Sequence, residues 1–207
     1  MKYLSLLFFV LFLTACSKDE LYGPFKLKNG QEVELLVDHR YASVNESLLI
    51  LPQNEPAGMS LRGFDSRKPG YTYRVKARLN VNPNPPQDGP DRWFNLTSVI
   101  SEEKYQGNEP FDILLIQSYV PGGPVITLRK TNDKYEYIQD KLELSYASQA
   151  VKDQLEEIWQ NSLEIRKDWE LNHKASLPKW KSIKATVTHD PNNFGKAYLV
   201  QRIEFLM

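Results

Sequence analysis

The strongest pattern in the chain is a strict alternation over residues 71–79. Tyr71, Tyr73, Val75, Ala77 and Leu79 fall on one side, and Thr72, Arg74, Lys76 and Arg78 on the other. Period two with one apolar face predicts a half-buried antiparallel strand. Further short strands are predicted around it. Residues 25–37 read as a hairpin turning at Lys28-Asn29-Gly30, because Asn-Gly tolerates the positive φ angles of a tight type I′ turn. Residues 32–41 continue as a strand, 47–51 form an apolar strand ended by Pro52, 58–64 a weaker one, and 93–100 a strand after the proline-rich loop 82–92.

The same order then repeats. Residues 34–41 align without gaps on 112–119, with Leu35 over Ile113 and Tyr41 over Tyr119. Residues 48–51 are echoed at 125–128, and 75–78 at 183–186. Each half ends in an Asn/Pro-rich loop and a last strand, 93–100 or 197–205. The offset is 78 residues at the first match and 108 at the second, so the second half carries about thirty extra residues, as a tandem duplication with one insertion leaves behind. Residues 135–144 read as the third strand of the second half, and the extra residues form one helix. From Ser148, an N-cap, Val151, Leu155, Ile158, Trp159, Ile165 and Trp169 recur at helical spacing, giving a helix over about 148–174 that Pro178 stops. Lys152–Glu156 and Arg166–Glu170 are its expected i, i+4 pairs.

The fold expected is mainly β (α+β). It has two tandem small antiparallel β-barrel-like halves, 25–105 and 106–207, the second carrying one long inserted helix. Strand, strand, strand, helix, strand, strand is the order of the OB-type five-stranded barrel. A single larger α+β sheet domain is the alternative.

The N-terminal pattern differs from the body. Lys2 precedes an apolar run over residues 3–13, too short to span a bilayer and ending in small residues, as in a secretory leader. Leu13-Thr14-Ala15-Cys16 is a lipobox: residues 1–15 are expected to be removed and Cys16 to carry a diacylglycerol and an acylated amine, a stable membrane anchor. Residues 16–24 form the tether, and Lys18, Asp19 and Glu20 within it resemble the lysine-plus-acids signal that sends lipoproteins of Bacteroidetes to the cell exterior. The periplasmic face is the alternative. Cys16 is the one cysteine, so no disulfide, thiol nucleophile or cysteine-based metal site is available. Lys plus Arg and Asp plus Glu are both 26, and loss of Lys2 leaves 25 against 26. A balanced chain lacks the basic footprint of a nucleic-acid binder.

Gly63-Phe64, then Pro69-Gly70-Tyr71-Thr72-Tyr73, then Pro85-Pro86-Gln87-Asp88 before the strand from Trp93, resembles domain of unknown function 4377 over about residues 33–103. That family comprises small domains of secreted bacterial proteins, often lipoproteins and frequent in Bacteroidetes. The resemblance implies secretion and anchoring, and it implies no catalytic residues.

Chemistry is sparse. His39, His173 and His189 lie far apart with no ligand spacing, and each reads as an ordinary strand, helix-end or loop residue. No nucleophile elbow or phosphate-cradling glycine loop appears, and no cofactor is implied. Asp88 and Asp91 sit on one loop with too few ligands for tight Ca²⁺ binding. Trp93, with Tyr135 and Tyr137 alternating on the third strand of the second half, are the candidate stacking residues. Loops 82–92 and 189–196 are the candidate contact surface. The expectation is a surface lipoprotein that binds a glycan or a protein without catalysis. The alternative is an envelope enzyme, or a periplasmic assembly or inhibitor lipoprotein, with a site built between the halves.

Overall fold

The computed structural model describes residues 20–119 and 122–207. The expected leader and Cys16, Lys18 and Asp19 lie outside the described residues. Glu20, at the edge of the described chain, is exposed and accepts a hydrogen bond from the Tyr22 hydroxyl. Among the described residues no helix is long and apolar enough to cross a membrane.

The fold is mainly β with one helix among the described residues. A small ribbon, β1 (Leu21–Tyr22) and β2 (Leu27–Lys28), precedes two six-stranded sheets. The first contains β3 (Glu32–Val37), β4 (Leu48–Leu51), β5 (Glu55–Pro56), β6 (Leu61–Arg62), β7 (Tyr71–Val81) and β8 (Arg92–Lys104), in the order β5-β4-β3-β7-β8-β6. The second half contributes β9 (Phe111–Leu114), β10 (Ile116–Tyr119), β11 (Gly123–Ile126), β12 (Arg129–Thr131), β13 (Lys134–Ile138), β14 (Leu142–Tyr146), helix α1 (Gln149–Asn172), β15 (Ser182–His189) and β16 (Ala197–Leu206). Its sheet runs β12-β13-β14-β16-β15-β9, while β10 leaves β9 at Leu115 and pairs separately with β11.

The two halves share one wiring. The first strand (β3, or β9 with β10) pairs with the second (β4, or β11) and the fourth (β7, or β15). The fourth pairs with the fifth (β8, or β16), and the third runs parallel to the fifth, β6 beside β8 and β14 beside β16. Those two pairs are the parallel ones, and the others are antiparallel. The helix sits between third and fourth strands of the second half, where the barrel order puts it. In the first half residues 63–70 take its place.

Alternation builds both cores. Val75, Ala77 and Leu79 on β7 are fully buried, and so are Ile183, Ala185 and Val187 on β15. Leu35 stands opposite Val75, whereas its counterpart Ile113 stands opposite Ala185, two residues beyond the counterpart of Val75. A slip of two preserves the pleat, so the same side chains still face inward.

Three local expectations change. Asn29-Gly30 does make a turn, with Gln31 N–H donating to Lys28 O, but only Gly30 takes positive φ there, at 80°. β2 pairs with β1, not with β3, because Gly30 N–H and Gln31 O both bond to Leu79 across on β7. Residues 135–144 are not one strand: Asp140 turns with φ 58°, and β13 and β14 form a hairpin. Trp169 leaves the core stripe and is 58% exposed, because the helix outruns the sheet it packs on.

Helix α1 buries Val151, Leu155, Ile158 and Ser162 on one stripe, and each of the three apolar chains is worth about 2 kcal/mol. Glu156 pairs with Lys130 at 2.9 Å on the sheet, in place of Lys152. His173 caps the C-terminus in the left-handed region, with φ 50°. Ser148 caps the N-terminus, its oxygen accepting from Val151 N–H at 3.3 Å. Ser148→Ala is expected to lower stability by about 1 kcal/mol, read as a shift of the urea midpoint at constant slope.

Candidate functional site

Two constellations form where the halves meet. The first is a groove of about 700 Å³. It exists because β11 pairs only with β10 and does not reach β12 or β13, which leaves the seam between second and third strands open. The far end of α1 spans this seam with Ser162, Ile165 and Arg166, and Ala42 of the first half closes one side. Along β10, Gln117 and Tyr119 alternate onto the groove side, with Val125 opposite Gln117.

A run of hydrogen bonds fixes the groove wall. The Tyr119 hydroxyl donates to Gln117 Oε1 at 2.9 Å, Gln117 Nε2 donates to the Tyr137 oxygen at 3.3 Å, and the Tyr137 hydroxyl donates to Ala42 O at 3.0 Å. Burial raises the Tyr137 pKa, so the phenol stays protonated and keeps donating. Arg129 donates to Gln139 Oε1 on the same wall. Tyr119 is 52% exposed, an aromatic face open to the groove. Thr127 lines it too, with its Oγ1 buried and without a hydrogen-bond partner among the described residues.

The second constellation joins the halves. His39 Nδ1 lies 2.8 Å from His189 Nε2. Tyr105 stacks on the His39 ring at 3.6 Å and 7°. His39 Nε2 is 3.7 Å from Asp38 Oδ1. Burial alone raises the Asp38 pKa, but hydrogen bonds from Arg40 and Ser47 outweigh it and bring the carboxyl down to about 2. His39 is lowered, chiefly by burial. His189 is pushed down to about 4, by burial first and by His39 second. Its Nδ1 is buried without a hydrogen-bond partner among the described residues. The arrangement that satisfies most groups is neutral: His189 Nε2–H donates to His39 Nδ1, and His39 Nε2–H faces Asp38. A proton added to His189 Nδ1 finds no acceptor.

No family model, curated protein or solved structure matches this chain. What the site can do therefore rests on its geometry.

Of the candidate residues, Tyr137 alone reaches the groove wall. Tyr135 is core, 2% exposed, its hydroxyl donating to Glu156 at 2.7 Å. Tyr135 and Tyr137 share the inward face of β13, so neither offers a free stacking surface. Trp93 is half-buried, donates to Asn95 Oδ1 at 3.0 Å and is covered by the Arg62 guanidinium at 4.0 Å. Asp88 is exposed, and Asp91 pairs with its neighbour Arg92 at 3.1 Å. Among the described residues no group of three His, Cys, Asp or Glu is placed to hold a metal ion. Loop 189–196 is partly covered: His189 and Asp190 are buried and Phe194 packs on Tyr71 of the first half, while Pro191, Asn192 and Lys196 are exposed. His39 and His189, which read singly as ordinary residues, are brought together across 150 positions of sequence. No sequence signal joined them: in the alignment of the halves His39 falls on Gln117 and His189 on Val81. Gln117, Tyr119, Arg129 and Arg166 carried no sequence signal, because only the open seam unites them.

Proposed function

We propose that this chain is an outer-membrane lipoprotein, anchored through Cys16 and displayed on the cell surface, that binds a glycan in the seam groove without catalysis. The groove carries the reading. Its volume lies in the range of small-molecule clefts. Its wall combines an exposed tyrosine face with amide groups held in place by hydrogen bonds, the two kinds of group a sugar ring needs: an apolar face and fixed donors and acceptors. The leader and the lipobox support the anchoring.

Two measurements test it. Protease shaving of intact cells is expected to release peptides from the folded body; release only after lysis would place it in the periplasm. On a glycan array, Tyr119→Ala is expected to weaken binding about tenfold, or about 1.4 kcal/mol, with an unchanged Tm. Undiminished binding of the variant to every glycan the native protein holds would remove the groove as the site.

A further inference from the structure

The chain has nine arginines, all within the described residues. Six hold a carboxylate: Arg40 with Asp38, Arg67 with Glu46, Arg74 with Glu34, Arg78 with Glu32, Arg92 with Asp91 and Arg202 with Glu204. Arg62 lies on Trp93. Arg129 and Arg166, which likewise make no ion pair among the described residues, both line the groove. The groove thus brings two arginines without a carboxylate partner together on one surface.

Neither makes an ion pair among the described residues, although Arg129 stands opposite Glu136 on β13. Arg129 bonds to the amide oxygen of Gln139, and the Arg166 guanidinium lies over the Trp159 ring at 5.2 Å. Glu170, one turn on from Arg166, makes no ion pair with it among the described residues. Among the described residues no Asp or Glu lines the groove. A guanidinium presents a planar fork that matches a carboxylate with two parallel hydrogen bonds. Tyr119, which lines the same groove, offers the flat face on which a sugar ring packs.

We infer that the ligand of this groove is an acidic saccharide, a sugar bearing a carboxylate, with the anion held by Arg129 and Arg166 and a ring packed on Tyr119. This rests on the groove being the glycan site. A neutral glycan leaves both guanidinium groups unused. A phosphate or sulfate ester shares the charge but not the planar two-oxygen fork.

The test uses the full-length protein in detergent micelles and two matched pairs of probes: trigalacturonate with its methyl ester, and sialyllactose with lactose. In at least one pair the acidic member is expected to bind at least tenfold tighter than its neutral partner, with an advantage that shrinks from 50 to 500 mM NaCl. Arg129→Gln and Arg166→Gln are each expected to reduce that advantage about tenfold while leaving Tm unchanged. Arg166→Lys keeps the charge but loses the fork, and is expected to fall between. Equal binding of acidic and neutral members, still weakened by Tyr119→Ala, would overturn the acidic-ligand inference and leave the groove as a glycan site. Tighter binding of sulfated than carboxylated oligosaccharides would overturn the carboxylate assignment. No binding of any glycan, acidic or neutral, would overturn both readings.

Discussion

Lowering the pH from 7 to 4 is expected to remove about 3 kcal/mol of folding stability through His189. Its pKa falls from the ordinary 6.5 to about 4 on folding, so the folded state prefers the neutral ring. That preference is fully present above pH 6.5, fades as the pH drops toward 4, and is gone below it. The groups facing the ring are His39, Asp38 beyond it, and the uncharged rings of Tyr105, Phe111, Phe194 and Tyr198. Arg40, Arg67 and Glu109 act on His39 from further out. Asp38, held at about 2, loses its own contribution only below its ordinary value of 3.8, so the two effects separate along the pH axis. Urea midpoints measured from pH 7.5 to 4 should show the loss in the native chain. They should show a much flatter profile in His189→Gln, whose amide can still donate to His39 but does not titrate. An equal slope in both proteins would rule out His189 as the source.

Gly70→Ala is expected to cost about 3 kcal/mol, the sum of left-handed strain and overpacking. Gly70 has φ 81°, and a Cβ there would lie 2.7 Å from Phe194 Cζ and 3.3 Å from His189 Nδ1. The residue is also tied on both sides: its N–H donates to His39 O at 2.8 Å, and its carbonyl accepts from Tyr105 N–H at 2.9 Å. It cannot move without disturbing the histidine contact. Gly63 is the control. It has φ 78° but open space where its Cβ would stand, so Gly63→Ala should cost only the strain, about 1 kcal/mol. The gap between the two variants in thermal or urea unfolding measures the packing at the junction. Equal losses would show that Phe194 yields freely.

How much of this was legible depended on whether the signal was local. The β7 alternation and the Ser148 cap are properties of a few consecutive residues, and both appear as expected. The repeated strand order was legible because a pleat repeats its burial code wherever it occurs. The Asn29-Gly30 hairpin failed because a turn signal says that the chain bends, not which strand it then pairs with, and β7 offered the better partner. Trp169 had the right period, but a helical stripe says nothing about where the surface beneath it ends. The histidine contact and the groove are further out of reach. They arise where loops and seams of two halves converge, and no spacing along the chain encodes that distance.

The position of β16 affects how the protein is made. The first sheet holds all its strands once Lys104 has emerged. In the second, β16 lies between β14 and β15, parallel to one and antiparallel to the other. During vectorial synthesis or export, β13, β14 and the helix must therefore wait beside β9 and β15 with an unfilled slot. The chain spends that interval with Leu144 and Val187 uncovered on the two slot-facing strands. This is when chaperone capture or mispairing with a neighbouring chain is most costly. The first half, already folded, also waits, because the hydroxyl of Tyr198 on β16 supplies the bond at 2.8 Å to Tyr41 O.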